Sequence, residues 1–222
     1  GKARVAGKDP QDKAIREVEM LYAVAQAKFL QTEAAYEKFL AIQVPTDLDF
    51  DPSPKKKKKL EESTKKFKKW LDDKSKVLTS TSTQYQGVIT LKQAHFAIAA
   101  LAGIGHLYQN FADQLYTAPI PKAPKPPAGI DEEEFNQTFV DAYCDQMSDQ
   151  AEPLDRKAKE GFTKCLGKST ELFWYNEWSG MCEQELHQLD PRTFPMAVEI
   201  RAQPGYVAPT LEGARAILDV KE

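Results

Sequence analysis

Cysteine, histidine and net charge are all scarce in this chain of 222 residues, which holds three Cys, three His and a formal charge of -3 from 30 basic and 33 acidic residues. So few cysteines exclude a small disulfide-stapled scaffold. His95, His106 and His187 form no i, i+4 pair and have no Cys neighbour at zinc spacing, so neither a metal site nor a cofactor is expected. Long hydrophobic runs are missing too. The least charged stretch, 93–112, has no Asp, Glu, Lys or Arg, but Gln93, His95, His106, Gln109 and Asn110 flank its apolar centre. A lone bilayer helix would bury those groups unpaired, so the stretch is expected to be a helix buried in protein and not a membrane span. The chain opens Gly1-Lys2-Ala3-Arg4 with no Met and no apolar leader, so any targeting signal is expected upstream or already removed. What remains, 41% hydrophobic and 28% charged residues, excludes disordered and collagen-like chains and suffices for a sizeable core.

No segment alternates with period two for long enough to make a sheet, and the expected class is all-α. Asp9-Pro10 is a helix start, and no Gly or Pro follows until Pro45. Ile15, Val18, Tyr22, Ala25, Phe29, Thr32, Tyr36 and Phe39 then fall on one stripe that must meet a partner helix, most simply within the same chain. After a connector ending at Pro54, a second helix carries Leu60, Thr64, Phe67, Trp70, Leu71, Lys74 and Leu78, with a bend or break expected in the Ser/Thr cluster 79–83. The third resumes from Thr90. Its small residues Ala97, Ala100, Gly103 and Gly105 are read as allowing close helix packing. Five prolines in 118–129 exclude regular structure there. Helices are then expected from Asp131 to about Glu152, from Pro153 to about Leu172 and from Glu177 to Leu189, with an aromatic corner at 173–176. Pro191 and Pro195 bracket the start of one more short helix, and an extended tail at 203–209 completes the reading. The organisation is therefore long-helix hairpins over 1–117, a Pro-rich connector at 118–130, further hairpins over 131–200, and a tail with a short helix at 201–222.

The small net charge averages unlike parts. Residues 55–76 hold 11 Lys and 4 acids, beginning with Lys55, Lys56, Lys57, Lys58 and Lys59, whereas 131–155 hold 9 acids and no Lys or Arg. Patches of this kind either steer partners of opposite sign or attract one another within the fold. The basic stretch has no Arg and only Phe67 and Trp70 as stacking rings, so nucleic acid is not an expected partner. Cys165 and Cys182 lie nine and eight residues either side of Trp174. Across an antiparallel hairpin they stand at one height, within disulfide reach; the alternative is two buried thiols. Cys144 has no such partner and is expected to be free and buried. A disulfide favours an oxidising compartment such as a periplasm, while reduced thiols leave the cytosol open.

Leu101-x-x-Ile104-Gly105-x-x-Tyr108 resembles the first helix of a tetratricopeptide repeat: a large residue, an aliphatic-Gly pair, then Tyr. With Pro191 taken as a repeat's terminal proline, Leu166-Gly167 falls at the same pair and Ser179 at the small crossing position. Thr170 replaces the Tyr there, and Glu183 stands where the second helix has an aromatic. Together with 99–121, 153–158 and 175–178, the wording is similar to large delta-proteobacterial tetratricopeptide-repeat proteins, including envelope and gliding-motility components. The resemblance spans 92–199. It implies a solenoid-like stack of antiparallel hairpins that serves as a non-catalytic scaffold for other proteins of a multiprotein complex, in the periplasm or envelope, and it carries no catalytic residue across. The starting Gly1 and the lack of a polar capping helix at the N-terminus lead to the expectation of a fragment of a longer array. Two rivals predict different things. A binder of anionic polymer or membrane surface would use the Lys-rich helix; an α-helical enzyme would hold carboxylates or His with shifted pKa values in a deep pocket. Among enzyme motifs, Gly167-Lys168-Ser169-Thr170 fails as a phosphate loop because Gly161 is one residue too far away.

Overall fold

The computed structural model describes residues 10–51 and 53–196, and all its regular structure is helical: α1 (Pro10–Leu40), α2 (Lys57–Ile89), α3 (Ala94–Tyr116), α4 (Glu132–Leu172) and α5 (Glu177–Leu189). Each helix is antiparallel to the next. Phe29 packs on Tyr85, Trp70 stands edge-on to Phe111, and His106 meets Phe162, which fixes the three successive pairings. The apolar, charge-free α3 lies at the centre and touches α1, α2, α4 and α5. No helix is long and apolar enough to cross a membrane among the described residues.

Two clusters make the core. One gathers Phe29, Phe39, Trp70, Tyr85, Phe96 and Phe111 between α1, α2 and α3, and reaches Met147 and Ala151 on α4. The other places Ile98 and Ala102 against Phe162, Cys165, Cys182 and Leu186. Helices on both sides of the Pro-rich 118–130 segment therefore share one interior. Close approach of α3 and α4 depends on glycine. A Cβ on Gly161 would lie 2.9 Å from both the Cα and the N of Gly105, and one on Gly105 would run into the Phe162 ring. Gly161→Ala is expected to destabilise by about 1–2 kcal/mol, since overpacking against backbone outweighs the helix-propensity gain of about 1 kcal/mol. Gly167→Ala, which meets open space, should keep that gain and stabilise by about 0.5–1 kcal/mol. Thermal melts of both variants check the contrast.

Several expectations change. The α1 stripe finds its partner only in its second half: Ala25, Phe29, Thr32 and Phe39 are buried, but Ile15 and Val18 are 58% and 61% exposed, because α1 runs on past the end of α3. The Ser/Thr cluster does not break α2. Thr79 and Thr83 return their hydroxyls to the carbonyls of Ser75 and Thr79, and Thr81 and Ser82 pack inward, so the helical ladder is not contested. Pro153 does not begin a helix but lies inside the 41 residues of α4. It forgoes one bond, to Asp149, while Ala151 and Ala158 on either side of it are fully buried and hold the helix on course. Pro191 begins a turn, with Thr193 donating to Asp190; the remainder of the expected short helix and the 203–209 tail lie outside the described residues. Cys144 is exposed, not buried, because Tyr143 and Met147 take the inward positions of that turn.

The corner between α4 and α5 is set by backbone capping. Trp174 N–H bonds Ser169 O at 3.0 Å and Phe173 N–H bonds Thr170 O at 3.2 Å, the pairing of a Schellman end. Phe173 takes its left-handed position, φ 49°, where glycine is usual. Asn176 then caps α5 in a reciprocal box with Ser179, whose hydroxyl also meets that of Ser169 at 2.7 Å.

Candidate protein-interaction groove

Around α3 the other helices form an incomplete ring. On one side α1 meets α5 through Phe29 and Trp178, with ring centres 5.6 Å apart. On the other side α2 and α4, both antiparallel to α3, make no backbone approach to each other. This leaves a long groove between them. Its upper part, about 290 Å³, has Leu101, Ile104 and Tyr108 as a floor, with Gln86 of α2 and Lys157 and Lys164 of α4 as walls. Its lower part, about 560 Å³, is mostly apolar and lined by Phe50, Phe67, Leu71, Phe139, Tyr143 and Met147. These rings are half-buried because α2 and α4 make no close approach across the groove, while the chain leaving α3 packs behind it, with Ala118 and Pro121 buried and the Tyr143 hydroxyl donating to Pro119 O at 3.3 Å.

The structure gathers the first repeat signature on this groove and disperses the second. Leu101, Ile104 and Tyr108 share its floor, with the Lys157 ammonium 5.2 Å from the Tyr108 ring centre, while Gly105 sits in the α3/α4 contact. Leu166 instead packs beside Cys165 and Cys182. Gly167 is exposed and makes no close helix approach, and Pro191 is an exposed turn residue, so neither has the packing role expected of it. Both point away from α3. The two sulfurs of Cys165 and Cys182 are joined, with Cα atoms 6.4 Å apart.

Charge is laid out differently from a mutual clamp between helices. Among the described residues no ion pair joins the lysines of α2 to the acids of α4. Lys56 bridges Asp49 and Asp51 at 3.1 and 3.2 Å, which holds its ammonium above the usual lysine range, and the backbone N–H groups of Asp51 and Ser53, with Lys56 after them, hold the Asp49 and Asp51 carboxyls below theirs. Lys69 and Lys76 pair with Asp73 and Asp72 on their own helix. Lys68 is exposed on the groove wall, and Lys55, Lys57, Lys58, Lys59, Lys65 and Lys66 are exposed elsewhere on this basic stretch. Glu134, Asp141, Asp145, Asp149 and Glu152 form an exposed stripe along the outer face of α4.

Titratable groups elsewhere serve packing. His106 contacts Gln109 Oε1 at 3.2 Å and Met181 Sδ at 2.9 Å, and His95 meets the Asn176 amide at 3.2 Å. His187 meets the Phe194 carbonyl at 2.9 Å. Burial, with Asp155 and Glu185 nearby, raises the Asp113 carboxyl, and a 2.6 Å bond to Asp155 helps push the Tyr116 hydroxyl up to about 12. Lys159 holds Asp190 down to about 2. None of these acids lines the groove; Glu160, on the upper wall, is held below the usual carboxylate range by its bond to Lys164. No group of three or more His, Cys, Asp or Glu among the described residues is arranged to hold a metal ion.

What sequence reasoning missed is the lower groove: Phe50, Phe139 and Tyr143 were not singled out, although the spacing of Phe139 and Tyr143 marks one helical face. No protein-family model, curated protein or solved structure matches the chain.

Proposed function

We propose that this chain is a non-catalytic protein–protein interaction scaffold, a tetratricopeptide-like stack of long helical hairpins that offers the α2/α4 groove to a partner in a bacterial multiprotein assembly. The lower groove carries the reading. Half-buried aromatic rings over about 560 Å³, with no acid or histidine among them, suit the apolar face of a helix or peptide better than a reacting substrate. The antiparallel succession of helices and the Leu101, Ile104 and Tyr108 floor support the repeat-like reading. The joined Cys165 and Cys182 support an oxidising location, the periplasm or envelope, where gliding-motility machinery of the kind the sequence resembles is found.

Capture from envelope extract tests this. The chain is expected to retain a defined protein through a high-salt wash, and Phe139→Asp, at the half-buried groove wall, to lose it at least tenfold. One observation favours a second reading, an anionic polymer or membrane surface: Lys57, Lys58 and Lys59 are exposed and outside any ion pair with α4. That reading requires binding abolished by salt and by Lys→Glu changes at 55–59, with Phe139→Asp inert.

A further inference from the structure

Between α3 and α5, away from the groove, four half-buried side chains form one row of polar contacts. Gln109 donates its amide N–H to Glu185 Oε2 at 2.6 Å, its Oε1 lies 3.2 Å from His106 Nδ1, and His106 Nε2 lies 2.9 Å from Met181 Sδ. Donors and acceptors along this row follow from its Glu185 end. Were the Gln109 amide turned over, its oxygen would stand against the carboxylate, so Oε1 is the atom that faces the imidazole, and it can only accept. A neutral imidazole has one donor nitrogen and one acceptor. With the proton on Nδ1 the Gln109 contact is a hydrogen bond, and the Nε2 lone pair faces a thioether sulfur that is itself an acceptor. With the proton on Nε2 the Nδ1 lone pair faces Oε1 instead. Either neutral form leaves two electron-pair donors face to face.

We propose that His106 Nε2 and Met181 Sδ are the two protein ligands of a soft monovalent cation, Cu(I) or its analogue Ag(I), held between α3 and α5. A cation between the two atoms turns the opposed lone pairs into bonds. Thioether sulfur selects Cu(I) and imidazole suits copper, whereas zinc requires further His, Cys, Asp or Glu ligands, and no group of three such residues is arranged for it among the described residues. The rest of the row is the support that a metal-bound imidazole uses. Its other N–H donates to Gln109, and the Glu185 carboxylate fixes Gln109 in turn. With metal–nitrogen and metal–sulfur distances of about 2.0 and 2.3 Å, the two ligand atoms must part by roughly 1 Å. Met181 can supply that movement, because its side chain is flexible and only half-buried. His106 is held edge-on to Phe162, ring centres 5.0 Å apart. No short motif marks the pair, whose members are 75 residues apart. The site is independent of the α2/α4 groove.

Titration of silver nitrate, a redox-stable stand-in for Cu(I), into the whole chain carrying Cys144→Ser tests this; the change is needed because the exposed free thiol would otherwise take the ion first. Calorimetry is expected to show one ion per chain. Met181→Leu, which keeps the side-chain volume, should weaken uptake at least tenfold, and Met20→Leu on α1 should leave it unchanged. A second measurement needs no substitution at the site: among the four methionine methyl groups in 1H–13C spectra, that of Met181 should move as Ag(I) is added, while those of Met20, Met147 and Met196 stay. Absence of uptake overturns the proposal, and a second proton on the imidazole then settles the contact. Uptake unaltered by Met181→Leu overturns it too, as does a Met181 methyl that keeps its position while the ion binds. None of these outcomes bears on the scaffold reading.

Discussion

Replacing Lys74 by Met is expected to destabilise the fold by about 3 kcal/mol at neutral pH and to change how stability varies with pH. Lys74 is fully buried, yet no carboxylate meets it. Its ammonium donates at 3.0 Å to the carbonyls of Phe39 and Ile42, at the C-terminal end of α1, and to Asn110 Oδ1 of α3, and it lies 3.9 Å from the Phe39 ring centre. One side chain of α2 thus ties three elements together and serves carbonyls at a helix end, where the Phe39 carbonyl otherwise has only the Ile42 N–H. Met fills the space but donates nothing. Loss of three charge-assisted hydrogen bonds, about 1.5–3 kcal/mol each, outweighs the relief of no longer burying a charge, about 3 kcal/mol, although Phe39 O keeps the Ile42 N–H as a partner.

The pH signature identifies the charge. Burial pushes the Lys74 ammonium down to about 8, below its ordinary value near 10.4. Below about pH 8 folded and unfolded chains both hold the proton, and the burial cost is present in full. Between 8 and 10.4 the unfolded chain binds more proton, so stability rises with pH in that window. Urea titrations at pH 7 and pH 10 should show the rise in the unaltered chain and its loss in Lys74→Met. A variant as stable as the parent, or an unchanged slope, would refute the assignment.

Removing the Cys165–Cys182 link by a double change to Ala is expected to cost about 3 kcal/mol, from a closed loop of 17 residues. For a chain of this size that corresponds to a fall in Tm of roughly 6–12 °C. A reductant should reproduce it. Cys144→Ser should move stability by no more than about 0.5 kcal/mol, as the thiol is exposed and free. Material isolated from its native location should give one free thiol under denaturant; three would remove the argument for an oxidising compartment.

The helical class was legible because periodicity is local. Asp131 marked the acid-capped start of α4 and 173–176 the hairpin corner, while Asp9, read as the cap of α1, lies outside the described residues. Helix ends read from single residues fared worse: Pro153 and the 79–83 cluster weaken a helix in isolation, and burial of their neighbours against α3 overrides them. Lys74 fell on an apolar stripe, but its partners are 32 or more residues away, so nothing local announces them. The floor of the groove was visible as Leu101, Ile104 and Tyr108. Its walls were not, because the gap between α2 and α4 depends on how both helices pack around α3. The matching of Leu166-Gly167 to a repeat position ignored which way that face of α4 turns, and it turns from α3.

The central place of α3 has a consequence for how the molecule comes apart. The helix belongs by sequence to the part before the prolines, but Gly105, Ile98 and Ala102 complete the interior of the part after them. Neither half can close a core alone, so unfolding is cooperative across the whole bundle. A cut at the exposed residues 127–130 is expected to sever the chain without releasing either piece.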